Sequence, residues 1–319
     1  MNPLNLNGLK MPDKSRVLVV VGQTAVGKTD LAIQLAKAVN GEIISADSRL
    51  FYLGINIGTA KPSPEQLKEV RHHLIDVADP EEIWSLSVFC EKVKGCIQEI
   101  QSQKRVPILV GGTGQYIRAV IEGWEIHPQQ PDDQMRLVLE KWGKKIGAEA
   151  LYQKLLLLDP VAAEKIDRQN LRRTVRALEV IYLTGERFSV QRRKQTPAYD
   201  FWIIGLTRPR PELYTRIDER IEEMFTQGLV EEANSLLDRG LVADHPNLSA
   251  IGYREVIQFI QGKTSLEEAK TQMRRKTREF VRRQANWFKP EDPSIHWYEM
   301  GDRTLGKILD DLRVDNILR

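Results

Sequence analysis

An eight-residue segment near the amino terminus constrains the fold of this 319-residue chain more than any other feature. It follows a continuous apolar run at residues 17–21, typical of a strand covered on both faces, and precedes a helical pattern at residues 30–39. Its spacing matches the Walker A motif, in which glycines let backbone N–H groups surround phosphate oxygens at a helix N-terminus. The segment consists of Gly22, Gln23, Thr24, Ala25, Val26, Gly27, Lys28 and Thr29.

Two side chains of this segment indicate the charge of its ligand. Lys28 would counter the anionic charge of phosphate, and the Thr29 hydroxyl would be a ligand for Mg²⁺. We therefore predict a site for a diphosphate or triphosphate, with Mg²⁺ as cofactor. A chance glycine-rich turn is the alternative, and the flanking strand and helix argue against it. The motif leaves the compound beyond the phosphates open.

Alternating strand and helix patterns follow along the chain. Strands are predicted at residues 42–45, 106–110 and 201–206, and long helices at 211–227, 229–238 and 265–288. This alternation predicts an α/β fold of the P-loop NTPase type, an open parallel sheet flanked by helices. Ligands of such sheets collect outside the carboxyl ends of the strands, where the predicted loops meet.

The middle of the chain has a different pattern. Helices are predicted at residues 132–145, 148–158, 160–166 and 171–184, without an obvious strand. We interpret residues 123–195 as an all-helical insertion domain. The catalytic core would then comprise residues 14–122 and 196–319.

Composition and charge limit the other classes of protein. A net charge of +3 is only mildly basic, so contacts with nucleic acid must come from local clusters of charge. Cys90 and Cys96 fall on different faces of a predicted helix, which argues against a disulfide or a zinc cluster. The amino terminus has no uninterrupted apolar run, so we expect no signal peptide, no membrane span and a cytoplasmic location.

A carboxylate follows the second predicted strand. Asp47 would project into the crevice of the phosphate loop, where a general base is useful, although capping of the next segment is an equal alternative from position alone. The third strand ends in Gly111 and Gly112, where a Walker B segment would place a metal-binding aspartate. Ordinary ATP hydrolysis therefore loses support.

Motifs spread over nearly the whole chain closely resemble the tRNA dimethylallyltransferase family, also called tRNA isopentenyltransferases. Gln23 departs from the family, which often has proline there, but the backbone donors of the loop are unaffected. The motifs are Ser45, Ala46, Asp47, Ser48, Arg49, Tyr52 and residues 57–62; residues 72–76; residues 111–116; Asp159, Pro160, Ala162 and residues 176–179; and Gly252, Tyr253 and Arg254.

The resemblance implies the reaction and its site. The phosphate loop would hold dimethylallyl diphosphate with Mg²⁺, and the exocyclic amine of the adenine 3′-adjacent to the anticodon would displace pyrophosphate. Asp47 would accept the amine proton, and Thr113 would hold base and diphosphate together. Arg216 and Arg220, four residues apart on one helix face, would approach the diphosphate. A solvated face paired with Glu219, Glu222 and Glu223 is the alternative for these two arginines.

Basic clusters and the resemblance together predict how tRNA binds. The target adenine must leave its stack and enter the crevice, and two basic stripes could straddle the stem. Such charge runs are more often merely solvated faces, but two of them with little acidic interruption favour phosphate contacts, so we expect binding to weaken steeply with salt. The stripes comprise Arg172, Arg173, Arg176, Arg192, Arg193 and Lys194, and Arg274, Arg275, Lys276, Arg278, Arg282 and Arg283. The resemblance assigns tRNA contacts to Asp47, Ser48, Arg49, Leu50, Thr113, Arg172, Arg173, Thr174, Arg176, Gly252, Tyr253 and Arg254.

Some assignments keep alternatives. Core packing is as good an interpretation of Tyr253 as stacking on a base. His72 and His73 are assigned to structure, because adjacent strand residues point to opposite faces and cannot chelate one metal.

Three rival functions remain open. They are a prenyltransferase for free adenine nucleotides, an ATP-dependent small-molecule kinase and a non-catalytic RNA-binding protein. We expect a monomer.

Overall fold

The computed structural model of the chain describes residues 16–124, 132–192, 196–315 and 317. The chain divides into two compact units. The first comprises Met1–Trp84, Phe89–Ile121 and Ala198–Arg319, and the second comprises Ser85–Val88 and Glu122–Pro197. Each unit is described by itself below.

One parallel sheet organises the first unit. Its strand order is β3-β2-β4-β1-β5-β6, so β1 lies between β4 and β5, and the phosphate loop leaves from the middle of the sheet. The predicted open parallel sheet is confirmed. The strands are β1 (Arg16–Gly22), β2 (Gly41–Ser45), β3 (His72–His73), β4 (Val106–Val110), β5 (Asp200–Thr207) and β6 (Ile295–Glu299).

Helices follow most of the strands. The first helix packs against β1, β2 and β4, which buries one face of the sheet. The α-helices are α1 (Lys28–Val39), α2 (Pro64–Glu69), α3 (Leu86–Ser102), α4 (Gly114–Ile121), α5 (Asp133–Ile146), α6 (Ala148–Leu158), α7 (Pro160–Glu164), α8 (Leu171–Thr184), α9 (Arg210–Thr226), α10 (Leu229–Asp238), α11 (Tyr253–Ile260), α12 (Leu266–Gln284) and α13 (Thr304–Val314). Short 3₁₀ helices span Ile57–Thr59, Phe188–Arg192 and Pro246–Ser249.

The apolar run of β1 explains its central position. Residues 17–21 have no exposed surface, as expected for a strand with neighbours on both edges and layers on both faces. Strand β6 and helix α13 were not predicted. In β6 only Ile295 and Tyr298 are buried, which is too short and irregular a pattern to identify an edge strand.

The second unit has a core of its own. Apolar side chains of α5, α6 and α8 pack together around Leu151, Leu155 and Leu178, which are all fully buried. Asp159 is also fully buried, and its carboxylate accepts hydrogen bonds from the N–H groups of Ala162 at 3.0 Å and Ser189 at 2.7 Å. The Asp159–Pro160 pair therefore starts α7 and holds the 3₁₀ helix beside it.

Candidate active site

The phosphate loop joins β1 to α1. Ala25 and Gly27 adopt left-handed conformations, with φ of 63° and 108°, which curl the chain into a concave turn. Gly27 is the N-cap residue of α1 and has no side chain. Within the described residues, the first N–H groups of the helix therefore have no side-chain cap. Such a turn before a helix N-terminus provides backbone donors and positive potential for a bound anion.

Lys28 lies folded over this loop. Its Nζ donates to the carbonyl oxygens of Gly22 at 3.0 Å and Gln23 at 2.8 Å. Burial lowers the pKa of Lys28 to about 8, an effect that the Asp47 carboxylate opposes and the Arg220 guanidinium reinforces. The three charged groups are therefore close enough to influence one another, and a bound phosphate would favour the charged amine.

Asp47 follows β2 and lines the cavity beside the phosphate loop. Its Oδ1 accepts the N–H of Arg49 at 3.1 Å, so the predicted capping alternative is realised. The same residue also lines the cavity with Lys28, Thr29 and Arg220. One carboxylate thus closes its turn and faces the place predicted for the diphosphate.

The end of β4 forms the opposite wall. The Thr113 hydroxyl accepts the N–H of Ser48 at 3.3 Å, which brings the segments after β2 and β4 together. A side chain at Gly111 would collide with the carbonyl of Ala46. This close approach of two backbones leaves no room for an aspartate at the Walker B position.

Two arginines of α9 approach the loop from another side. The Arg216 Nε donates to the carbonyl of Ala25 at 2.9 Å, and Arg220 lines the cavity. Burial and the neighbouring Arg216 guanidinium hold the pKa of Arg220 below its ordinary value. Glu222 of the same helix pairs instead with Lys270 and Arg274. Arg216 thus holds the loop backbone, and Arg220 is the guanidinium placed in the cavity.

A second cavity adjoins the first and shares Thr24, Asp47 and Arg220 with it. Thr113 and Arg49 supply further polar groups to its wall. A large part of the wall is apolar, from Ile217, Ile221, Met224, Ile251, Met273, Phe280 and Trp287. The combined site can hold an anionic group at the loop and an apolar or aromatic group beside Asp47.

Comparison with known proteins identifies the family. The sequence model of the IPP transferase family matches residues 50–291. The tRNA dimethylallyltransferase of Roseiflexus sp. (strain RS-1) is 46% identical over 273 residues, which are 86% of this chain and 90% of that protein. This chain belongs to the tRNA dimethylallyltransferase family.

Solved structures agree with this assignment. The full-length tRNA isopentenylpyrophosphate transferase of Bacillus halodurans is 38% identical, with a TM-score of 0.71, and the match covers 95% of this chain and 97% of that one. A eukaryotic dimethylallyltransferase acting on tRNA is 25% identical, with a TM-score of 0.80 over 95% of this chain and 80% of that one. The family and the enzyme class predicted from the motifs are confirmed.

The segment after β2 contacts the segment before α11. Arg49 is one of the residues predicted to contact tRNA. Its guanidinium donates to the carbonyl of Pro246 at 3.0 Å and to the Ser249 hydroxyl at 3.2 Å. Ser48 and Arg49 line the second cavity together with Ser249, and Leu50 lines the first. These residues therefore form one rim, built from two distant parts of the sequence.

Tyr253 occupies the core, as its alternative interpretation proposed. Its side chain is fully buried, and its hydroxyl donates to Glu232 and accepts the N–H of Gly58 at 3.2 Å. Burial and the Glu232 carboxylate raise the pKa of this hydroxyl. Gly252 is also buried, with a φ of 109°, whereas Arg254 is exposed. Of the three residues, Arg254 is the one that solvent, and therefore RNA, can reach directly.

The predicted contacts on α8 also differ in exposure. Arg172 and Arg173 are exposed, whereas Thr174 is fully buried in the core of the second unit. Arg176 is half-buried and pairs with the buried Glu179 at 3.0 Å. Arg193 and Lys194 lie outside the described residues, as does the side chain of Arg192. Arg172 and Arg173 are the described cations of this stripe that remain open to a partner.

The predicted stripe on α12 is divided by acidic neighbours. Arg274 pairs with Glu222, Arg278 pairs with Asp218 at 2.6 Å, and Lys276 pairs with Glu255 at 2.7 Å. These carboxylates come from α9 and α11, so the stripe has acidic neighbours that its own sequence does not show. Three arginines of the stripe remain exposed, namely Arg275, Arg282 and Arg283.

Gln284, which was not predicted as a site residue, reaches the phosphate loop. Its side-chain oxygen accepts the N–H of Thr24 at 2.8 Å. The available signal was periodicity, because Gln284 continues the buried stripe of Met273 and Val281 in an otherwise charged helix. A polar residue on an apolar stripe indicates a specific partner.

His73 and its neighbour have structural partners. The His73 Nε2 lies 2.6 Å from the carboxylate of the buried Glu42, and the His72 Nδ1 lies 2.8 Å from the carbonyl of Val70.

Among the residues that the structure describes, no helix is long and apolar enough to cross a membrane.

Proposed function

We propose that this chain transfers the dimethylallyl group of dimethylallyl diphosphate to the exocyclic amine of the adenine 3′-adjacent to the anticodon of tRNA, and releases pyrophosphate. One observation carries the proposal. The Asp47 carboxylate and the phosphate loop line the same cavity, with Lys28 and Arg220 beside them. A base and an anion site in contact are what an alkyl transfer from a diphosphate to an amine requires.

The reaction distributes its charges over these groups. The amine nitrogen forms a bond to the first carbon of the dimethylallyl group, and the bond from that carbon to the diphosphate oxygen breaks. The electron pair leaves with pyrophosphate, whose charge Lys28, Arg220 and the backbone N–H groups of the loop stabilise. The amine proton passes to the Asp47 carboxylate as the carbon–nitrogen bond forms.

Mg²⁺ is consistent with the donors present. Thr29 contributes a hydroxyl oxygen at the start of α1, in the cavity that Asp47 also lines. Mg²⁺ commonly takes few protein ligands and completes its shell with water and phosphate oxygens, so Thr29 and the diphosphate would suffice to hold it. When bound, the ion would neutralise charge on the leaving pyrophosphate.

The remaining residues would receive the base and the RNA. Thr113 lines the second cavity near Asp47, where its hydroxyl is available to the adenine or the diphosphate. The rim of Ser48, Arg49 and Leu50, with the exposed Arg254, Arg172 and Arg173, would contact the flanking nucleotides and phosphates. We propose a monomer as the active form.

Labelled substrate tests the proposal. Purified protein is incubated with labelled dimethylallyl diphosphate, Mg²⁺ and unmodified tRNA, with AMP as a parallel acceptor and ATP as a competitor. The proposal predicts label in tRNA, none in AMP, and little inhibition by ATP. A matched tRNA with guanine in place of the target adenine should take up no label. Label in AMP, or no transfer together with tight ATP binding, would instead favour the free-nucleotide enzyme or the kinase.

A further inference from the structure

Gln284 connects two loops that belong to different halves of the site. It is the last residue of α12, and it is 8% exposed. Its side-chain oxygen accepts the N–H of Thr24 at 2.8 Å, and its Nε2 donates to the carbonyl oxygen of Gly112 at 3.0 Å. One planar carboxamide thus satisfies a backbone donor on the phosphate loop and a backbone acceptor after β4.

The two backbone groups lead directly to the proposed reactants. Thr24 is part of the loop proposed to hold the diphosphate. Gly112 precedes Thr113, whose hydroxyl accepts the N–H of Ser48 next to Asp47. The carboxamide therefore spans from the diphosphate loop to the wall that carries the proposed base.

The packing around Gln284 leaves no space for side chains at the neighbouring glycines. A side chain on Gly112 would come within 2.5 Å of the Gln284 Nε2, and one on Gly114 would collide with the Trp287 ring. On the other side, the Gln23 side chain donates to the carbonyl of Val281 at 3.5 Å. The end of α12 thus contacts both loops, and the Gln284 carboxamide bonds to each of them.

We propose that Gln284 is a positioning residue, which holds the diphosphate loop at a set separation from residues 112 and 113, so that the allylic carbon meets the acceptor amine. This inference rests on the proposed function. Small displacements between reacting groups reduce rates strongly, because a bound pair then spends less time in a reactive geometry. Both side-chain hydrogen bonds of Gln284 go to backbone groups, so it is expected to act through the loops, although its side chain also lines the second cavity.

Two substitutions separate positioning from folding. Gln284→Leu keeps the approximate volume but removes both hydrogen bonds, which leaves buried backbone groups without partners. We expect the single-turnover rate at saturating substrates to fall about 10- to 100-fold, while the Kd values for tRNA and for dimethylallyl diphosphate change less than about threefold. A purely structural role would lower Tm and the active fraction but leave the rate of each folded molecule unchanged.

Gln284→Glu adds a pH signature. An ionised glutamate still accepts from Thr24 but cannot donate to Gly112, whereas a protonated one can do both. The rate of this variant relative to the wild type should therefore rise as the pH is lowered from about 8 to about 6. Gln272→Leu, at a half-buried position of the same helix, is the matched control and should keep the wild-type rate.

The outcomes also distinguish this inference from the proposed function. If the wild type alkylates AMP but not tRNA, the proposed function fails, and the ratio of Gln284→Leu to wild-type rates with AMP still tests the positioning role. A Gln284→Leu rate equal to that of the wild type would overturn the inference. Should Gln284→Leu fold poorly, a relative rate of Gln284→Glu that does not change with pH would overturn it.

Discussion

The two ends of strand β2 carry carboxylates with contrasting surroundings. Glu42, near the start of the strand, is 1% exposed and bonds to His73 at 2.6 Å and to Arg105. Asp47, just beyond the end of the strand, lines a cavity and accepts a 3.1 Å hydrogen bond from the N–H of Arg49. The same strand therefore places one acid among permanent partners and another where a ligand can reach it.

This contrast separates structural from chemical roles. Burial raises the pKa of Glu42, but hydrogen bonds from His73 and Arg105 outweigh it and hold that pKa below its ordinary value. Such a group stabilises the fold only while its partners remain, and it has no access to substrate. Asp47 faces Lys28 and Arg220 across open space, so it has room to accept a proton from a bound amine.

The largest expected effect is on catalysis at Asp47. Asp47→Asn removes the proton acceptor while keeping the shape and the oxygen that accepts from Arg49, so transfer to tRNA should fall about 10²- to 10⁴-fold. Filter binding of tRNA should stay within about threefold of the wild type. Glu42→Gln is the matched control on the same strand, and its rate per folded molecule should be unchanged. Equal rates for Asp47→Asn and the wild type would remove Asp47 from the mechanism.

The next effect concerns stability at Glu42. Glu42→Gln weakens a buried charged pair, and we expect the free energy of unfolding to drop by about 2–3 kcal/mol, less than for a fully enclosed pair because Arg105 is partly exposed. Denaturant titration measures this difference.

The loss of stability in Glu42→Gln should depend on pH in a definite direction. Because the folded-state pKa of Glu42 lies below 4.5, its stabilisation is present above about pH 4.5 and is lost as the pH falls through the folded-state value. The difference between wild type and Glu42→Gln should therefore shrink under acid conditions. A difference independent of pH would contradict the assigned charge state.

A smaller effect follows from the pKa of Lys28. This amine loses its proton near pH 8 in the free enzyme, so kcat/KM for dimethylallyl diphosphate should decline as the pH rises above about 8. Lys28→Arg keeps its charge at all accessible pH values and should abolish that decline, even if its overall rate is lower. Lys37→Arg, on the outer part of α1, should retain it. A wild-type profile that stays level to pH 9.5 or so would contradict the lowered pKa.

The smallest effect is expected at the exposed arginines of α8. Replacing Arg172 and Arg173 by glutamine should weaken tRNA binding and reduce its salt slope by roughly 0.7–0.9 for each lost phosphate contact. Lys154→Gln, at an exposed position of α6, serves as the control and should leave the slope unchanged. An unaltered slope in the double variant would exclude this face from the RNA interface.

The sequence allowed the phosphate loop and the place of Asp47 to be predicted well, for a physical reason. A continuous apolar run identifies a buried parallel strand, and the carboxyl ends of such strands meet at one edge. Strand β4 was predicted at its observed bounds, Val106–Val110, because glycines end its apolar run sharply.

Other features depend on contacts between distant residues. Nothing local to α12 indicates that Arg274 and Arg278 pair with carboxylates of α9. These carboxylates lie 52 and 60 residues earlier in the chain. The same holds for Tyr253, whose hydroxyl meets Glu232 in the core, and for Gln284, which meets Thr24. Periodicity shows which face of a helix is buried, but it does not show what lies opposite.

The most direct test of the account is to map the product on tRNA. Unmodified tRNA is treated with dimethylallyl diphosphate and the wild type, Asp47→Asn or Glu42→Gln, then digested and analysed by mass spectrometry of its fragments. The account predicts one dimethylallyl group on the exocyclic amine of the adenine 3′-adjacent to the anticodon, formed by the wild type and Glu42→Gln and nearly absent with Asp47→Asn. Modification at another nucleotide, or an equal yield with Asp47→Asn, would contradict it.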